Sequence, residues 1–252
     1  AGPANKQGRI CANNIVLGNK QKYNGAINTA IVKVFDMTVA TAGTASKHLK
    51  TAQIPHIVST NHAGSHAGYY PGARSMAIQI AFTPEEGRLL SAQIAGYDGV
   101  DKRIDIISSF IQQGLTIYDL AQFEHAYAPP YSSAKDPVNM AGFIADNILS
   151  GRLKVFYQED VSTLETGSML LDVRTVKEFE AGHIDSAINI PVDEIRSRMG
   201  EIPHDKKIYI YCEAGLRGYL AHRILRQEGW DEVYNLSGGY ITWHACDLER
   251  KF

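Results

Sequence analysis

Ile208-Tyr209-Ile210-Tyr211-Cys212-Glu213-Ala214-Gly215-Leu216-Arg217-Gly218 is the stretch whose reading decides the fold of the second half of the chain. Ile208 to Tyr211 form a short apolar run of β-branched and aromatic residues, as expected of a strand buried on both faces of a parallel sheet. Cys212 then stands at the strand's carboxyl end. From Leu216 the period changes: Leu216, Tyr219, Leu220, Ile224 and Leu225 recur at helical spacing, and Gly229 follows where a helix should stop. A cysteine between a strand end and a helix amino terminus faces unpaired N–H groups and the positive end of the helix dipole. Both favour an anion, here a thiolate or a persulfide. Gly215 lets the loop turn its amides inward, and Arg217 adds a fixed positive charge.

A lone cysteine after a buried strand is also an ordinary small core residue, so two readings of Cys212 stand on these residues alone. Further segments bear on the choice: Leu171-Asp172-Val173-Arg174, Glu178-Phe179, Gly182-His183-Ile184, Ala187-Ile188-Asn189-Ile190-Pro191, and Gly238-Gly239-Tyr240 with Trp243. In this order, and with the Cys212 loop, they resemble the rhodanese (sulfurtransferase) family over residues 152 to 252. The resemblance implies a nucleophilic Cys212 that carries sulfur as a persulfide. Loop residues Glu213, Ala214, Gly215 and Leu216 would hold the developing negative charge, with Arg217 assisting. Asp172 and Arg174, on the neighbouring strand end, are expected to support the loop. Glu213 opposes the loop's positive potential, which favours a small-molecule persulfide, such as that of coenzyme A, over a doubly charged donor. A thiol would be the sulfur acceptor.

A rhodanese-like phosphatase is the alternative within the same fold. Only four residues separate Cys212 from Arg217, one fewer than those phosphatases use to surround a phosphoryl group. The other alternative is a non-catalytic dimerisation and docking module.

The chain has 252 residues, 44% hydrophobic and 21% charged, with a net charge of -2. That is ordinary for globular domains, and without a basic run or pole there is no electrostatic case for nucleic acid or an anionic membrane. No apolar stretch approaches membrane-spanning length, and no basic start with an apolar stretch marks a secretory signal. Cys11, Cys212 and Cys246 are too few, and odd in number, for a disulfide framework, which suits a cytoplasmic setting. The chain begins at Ala1, as a fragment of a longer protein would.

Residues 1 to 150 and 151 to 252 read as two domains. Pro3 suits a helix start, with Cys11 packed on a partial apolar stripe ending before Gly18. Residues 26 to 40, 56 to 59, 75 to 83 and 89 to 97 read as strands, with a hairpin at Pro84-Glu85-Glu86-Gly87. Thr44 is placed to cap a short helix, and longer helices are expected at 102 to 113, 116 to 124 and 136 to 150. Strands first and helices afterwards indicate an α+β domain with an antiparallel sheet. Beyond Gly151, strand and helix alternate, with an element over 194 to 199, indicating an α/β domain with a parallel sheet.

The opening residues 1 to 9, Gly68-Tyr69-Tyr70-Pro71-Gly72, Asp101-Lys102-Arg103-Ile104-Asp105 and Tyr127-Ala128-Pro129-Pro130-Tyr131-Ser132 resemble the dimerisation domain of flavin-dependent pyridine nucleotide-disulfide oxidoreductases, in the coenzyme A-disulfide reductase and NADH oxidase branch. That resemblance implies a homodimer and a longer parent with FAD, NAD(P)H and coenzyme A, in which Tyr69 and Tyr127 reach the partner's coenzyme A site. Tyrosines beside proline and glycine are equally often loop anchors. No strand followed by G-x-G-x-x-G occurs, so no cofactor is expected in this chain itself. His62 and His66 lie four apart without a helix to align them, and no metal is expected. His183 is expected to support the turn after the Glu178 helix, and His222 and His244 to be surface or packing residues.

Overall fold

The computed structural model of the chain describes residues 1–250, with side chains through Asp247. The chain opens with α1 (Gly2–Leu17), β1 (Ala30–Val34), β2 (Met37–Gly43), α2 (Ser46–Thr51), β3 (Ile57–Gly64), β4 (Ser75–Phe82) and β5 (Leu89–Gly96). Helices α3 (Val100–Gln113), α4 (Ile117–Gln122) and α5 (Pro137–Leu149) follow. The five strands form an antiparallel sheet in the order β1-β2-β5-β4-β3. Period two places Met76, Ile78, Ile80 and Phe82 of β4 on the buried face. There they meet Ile104 and Ile107 of α3 and Val138, Ala141 and Ala145 of α5 in one core. Each large apolar side chain buried in it contributes roughly 1.5–3 kcal/mol.

The second unit comprises β6 (Val155–Phe156), β7 (Met169–Asp172), α6 (Val176–Ala181), β8 (Ile188–Asn189), β9 (Ile208–Tyr211), α7 (Leu216–Gln227), β10 (Val233–Leu236) and α8 (Gly239–Arg250). Its strands pair in parallel in the order β6-β10-β9-β7-β8, with β9 in the middle. Residues 208, 210 and 211 of β9 are buried, which is why its sequence is apolar throughout. The α+β and α/β classes are therefore both present.

Four local expectations need correction. The short helix α2 is capped by Ala45 without a side-chain bond, so Thr44 is not its cap. Cys11 is exposed, and α1 buries none of its residues. The buried stripe of α7 is Gly218, Ala221, His222 and Leu225, while Leu216 and Leu220 are exposed. At Gly218 the helix lies against β10, where a Cβ would stand 2.1 Å from Asn235 Oδ1. The segment over 194 to 199 resolves into 3-10 turns on either side, at Val192–Glu194 and Met199–Glu201.

The units meet along β3, an edge strand whose outward backbone groups would otherwise lack partners. Val58 O accepts from the Tyr157 hydroxyl at 3.0 Å, and Thr60 N donates to Ser237 Oγ at 3.0 Å. His62 Nε2 lies 2.7 Å from Thr242 Oγ1 on α8. Among the described residues no helix is long and apolar enough to cross a membrane.

Candidate functional site

Cys212 leaves the carboxyl end of the central strand β9, and the chain turns through Glu213 and Ala214 into α7. Gly215 makes the turn possible: its φ of 115° is a left-handed conformation that side chains disfavour. Its N–H donates to Cys212 Sγ at 3.1 Å. Cys212 is 2% exposed and belongs to the same buried cluster as Leu171, Ile210 and Ala221. Of the loop amides, Gly215 is therefore the one in hydrogen-bond contact with the sulfur among the described residues. An amide aimed at the sulfur from the first turn of a helix stabilises an anion there.

The outer side of the loop is fixed by α8. Tyr240 N donates to Cys212 O at 2.8 Å and Ile241 N to Glu213 O at 3.1 Å. Gly239 admits this approach, because a Cβ there would stand 2.6 Å from both carbonyl oxygens. The loop thus sits between two helix amino termini. One presents an amide to the sulfur, and the other satisfies the loop's own carbonyls.

Arg217 does not reach the sulfur. Its two Nη atoms make a bidentate pair with Glu178 at 2.7 and 2.6 Å. That bond chiefly raises the Arg217 pKa, with the Coulombic pull of Glu178 and then Cys212 adding to it against partial burial. The same pair holds Glu178 down to about 2, helped by Thr175. Glu178 also closes the capping box of α6, accepting from Thr175 N and Oγ1 at 2.9 and 2.7 Å.

Arg174 and Asp172 form a second pair, closed at 2.7 Å and almost fully buried. Arg174 also donates to Gly182 O at 2.7 Å and to Glu213 Oε2 at 3.1 Å, and its guanidinium lies 4.0 Å from the centre of the Tyr240 ring. Burial opposes its charge, yet the bonds to Asp172 raise its pKa on balance. Glu213, whose acidity opposes anion binding, is thereby paired to Arg174. His183 packs on Phe179 and bonds its carbonyl at 3.0 Å, in the turn after α6.

Sequence reasoning gave Glu178 and Gly239 no role at the site. The Thr175-x-x-Glu178 spacing signals a capping box, and Gly238-Gly239 a close approach, but neither says to what. Asn235 was missed as well; its Nδ2 donates to Gly215 O at 3.2 Å.

Far along the first unit, Tyr69 and Tyr127 bring their hydroxyls to 3.1 Å on an exposed surface, which raises the Tyr127 pKa. His62 bonds Thr242 and His66 lies against Ala67 O, and among the described residues no group of three or more His, Cys, Asp or Glu side chains is placed to hold a metal ion. A concavity of about 660 Å³ in the parallel unit lies by Ser168 and Met169 at the amino end of β7, away from Cys212.

Residues 158–246 match the rhodanese-like domain family, and residues 29–137 match the dimerisation domain family of the pyridine nucleotide-disulphide oxidoreductases. The coenzyme A disulfide reductase of Staphylococcus haemolyticus is 43% identical over 136 residues, covering 52% of this chain and 30% of that protein. The crystal structure of reduced Bacillus anthracis CoADR-RHD is similar with a TM-score of 0.94 and 45% identity, covering 98% of this chain and 44% of the other. An NAD-dependent persulfide reductase from A. fulgidus is similar at a TM-score of 0.85 and 38% identity, covering 95% and 43%. The chain spans 30% to 44% of the length of these three relatives.

Proposed function

We propose that this chain, a pyridine nucleotide-disulphide oxidoreductase dimerisation domain joined to a rhodanese-like domain, carries sulfane sulfur on Cys212. A division between residues 150 and 151 is supported by α5 ending at Leu149 and β6 beginning at Val155. The observation that carries the reading is the Gly215 amide directed at Cys212 Sγ at 3.1 Å from the start of α7. In the first step the Cys212 thiol loses its proton to solvent and its thiolate attacks the outer sulfur of a small-molecule persulfide. A new S–S bond forms as the donor's own S–S bond breaks, and the donor departs as a thiolate. In the second step an acceptor thiolate attacks the outer sulfur and releases Cys212. No net oxidation occurs, because one persulfide is exchanged for another.

Arg217, held by Glu178 and out of contact with the sulfur, favours the anionic persulfide through space. Arg174 and Asp172 are positioning residues, with Arg174 offsetting Glu213. The relatives' names speak of coenzyme A disulfide and of persulfide, which makes a thiol persulfide such as that of coenzyme A the preferred donor. In a longer parent the first unit would form a homodimer, placing Tyr69 and Tyr127 at the partner's coenzyme A site. FAD and NAD(P)H would belong to a separate flavin domain of that parent, since no glycine-rich pyrophosphate turn occurs in this sequence. A reducing cytoplasm suits an unprotected thiol carrier.

The burial of Cys212 supports a second reading, in which the thiol is a core residue and the chain only dimerises and docks. Intact mass after incubation with a thiol persulfide separates the two. Sulfur transfer requires a gain of one sulfur, located on Cys212 and absent in Cys212→Ser. No gain, or an equal gain in the variant, leaves the docking reading.

A further inference from the structure

Two guanidiniums pair with carboxylates around the thiol loop, and their exposure divides them. Arg174 and Asp172 are 3% and 0% exposed, and Arg174 also takes Glu213. Arg217 and Glu178 are 30% and 33% exposed. Of the two, Arg217 is therefore the guanidinium that a molecule arriving from solvent meets.

Glu178 uses its two oxygens unequally. Oε2 accepts from Thr175 N and Oγ1 at 2.9 and 2.7 Å and from Arg217 Nη1 at 2.7 Å. Oε1 accepts from Arg217 Nη2 at 2.6 Å and from no other group printed among the bonds of the described residues. The cap of α6 thus needs one oxygen, and the second completes the pair with the arginine fork. That fork is the face with which a guanidinium would hold the sulfonate of a thiosulfate-type dianion. Three carboxylates face two guanidiniums here: Asp172 and Glu213 on Arg174, and Glu178 on Arg217. A dianion brought to the thiolate adds to that negative excess unless a cation is released to meet it.

Resting on the reading of Cys212 as a sulfur carrier, we propose that Glu178 sets the choice of donor. It keeps the fork of Arg217 occupied, so that a neutral or singly charged persulfide is used and a dianionic donor of the thiosulfate type is refused. With the dianion, the Cys212 thiolate would attack the outer sulfur, forming one S–S bond as the donor's S–S bond breaks and sulfite leaves with the electron pair. That step balances, but the doubly charged leaving group has no free guanidinium. The negative charges of Cys212 and Glu213 both raise the Arg217 pKa, which puts a released Arg217 within electrostatic range of the donor.

The test follows sulfur loading of Cys212 by intact mass, from thiosulfate and from N-acetylcysteamine persulfide, in the full chain and its variants. Glu178→Gln keeps the cap, because an amide oxygen at the Oε2 position still accepts from Thr175, while the amide NH₂ at the Oε1 position is a donor and cannot pair with a guanidinium. Glu178→Asp keeps a cap of the kind that Thr116 and Asp119 form in α4, and withdraws the carboxylate from Arg217 by one methylene. The thiosulfate-to-persulfide rate ratio should rise about tenfold in Glu178→Gln and about threefold in Glu178→Asp. Glu213→Gln removes an equal charge but leaves Arg217 held, and should raise the ratio by no more than about threefold. A structural role for Glu178 would slow both donors together and leave the ratio unchanged.

A second arm needs no sulfur transfer. Thiosulfate is titrated into the Cys212→Ser chain, with and without Glu178→Gln, while ¹⁵N NMR follows the Arg217 guanidinium. Saturation at about tenfold lower thiosulfate is expected when Glu178→Gln is present. If Cys212 gains sulfur from neither donor, the carrier reading falls, and this arm alone decides whether Glu178 withholds Arg217 from a dianion. An unchanged rate ratio in Glu178→Gln, an equal rise in Glu213→Gln, or equal thiosulfate affinity in the two Cys212→Ser chains would overturn the inference. Should Glu178→Gln not fold, Glu178→Asp decides in both arms.

Discussion

In the antiparallel unit Arg103 meets Asp136 at 2.8 Å, both side chains at most 1% exposed. In the parallel unit Arg174 meets Asp172 at 2.7 Å, also nearly buried. Yet the two pairs have different surroundings. Arg103 spends its remaining donors on Ser65 O and Gly99 O, and Asp136 caps α5 through Val138 N and accepts from Ser132. The bond to Ser65 O reaches a distant backbone segment, and the others hold the starts of α3 and α5. Arg174 instead extends to Glu213, the residue after the thiol, and lies over Tyr240, whose N–H holds the thiol's carbonyl. Similar chemistry serves chain connection in one place and alignment of a reactive loop in the other.

The largest effect that would sharpen this contrast is on stability. Arg103→Met leaves Asp136 buried and unpaired, and should cost roughly 3–5 kcal/mol in the first unit's unfolding free energy. Sulfur loading per folded molecule should be unchanged. Denaturant unfolding beside intact mass checks both, and a loading defect would break the comparison. Next comes Gly239→Ala, whose Cβ would press on the carbonyls of Cys212 and Glu213 at a positive φ of 64°. A cost of about 1–3 kcal/mol is expected, and here sulfur uptake should fall by at least tenfold. Normal uptake by a folded variant would show that the α8 contact does not align the loop.

How much of this was legible beforehand differs by element. The β9-loop-α7 segment announced itself, because a fully buried strand is apolar throughout and a helix changes the period. The antiparallel sheet was legible from its strand formers and hairpin signals. The buried face of α7 was not: hydrophobicity selected Leu216 and Leu220, whereas close packing against β10 selected Gly218, and Leu216 lines a cavity between the units. Nor could spacing show that Glu178, already satisfied as a helix cap, has capacity left for a guanidinium 39 residues away. Such long-range pairings depend on the fold bringing two strand ends together.

Arg217→Lys sharpens the contrast further. It keeps the charge but loses the bidentate geometry, so sulfur loading should slow by roughly three- to tenfold, with stability within about 1 kcal/mol of the original. An unchanged rate would mean that charge alone suffices. The smallest effect is in pH. Glu178 is held at about 2 in the folded chain, against 4.5 for the ordinary group. Its folded pKa is depressed, so its contribution is complete above about pH 4.5 and is lost as pH falls toward 2. Carboxyl NMR should place the Glu178 midpoint near 2 and return it toward 4.5 in Arg217→Gln. A midpoint that does not move would assign the shift to the α6 cap instead.

Consecutive residues at the start of α8 hold different parts of the molecule: Tyr240 and Ile241 grip the main chain at the thiol, while Thr242 holds His62 on the first sheet. Any tilt of one unit against the other is therefore levered, through three neighbouring residues and less than one helical turn, onto the seat of the sulfur.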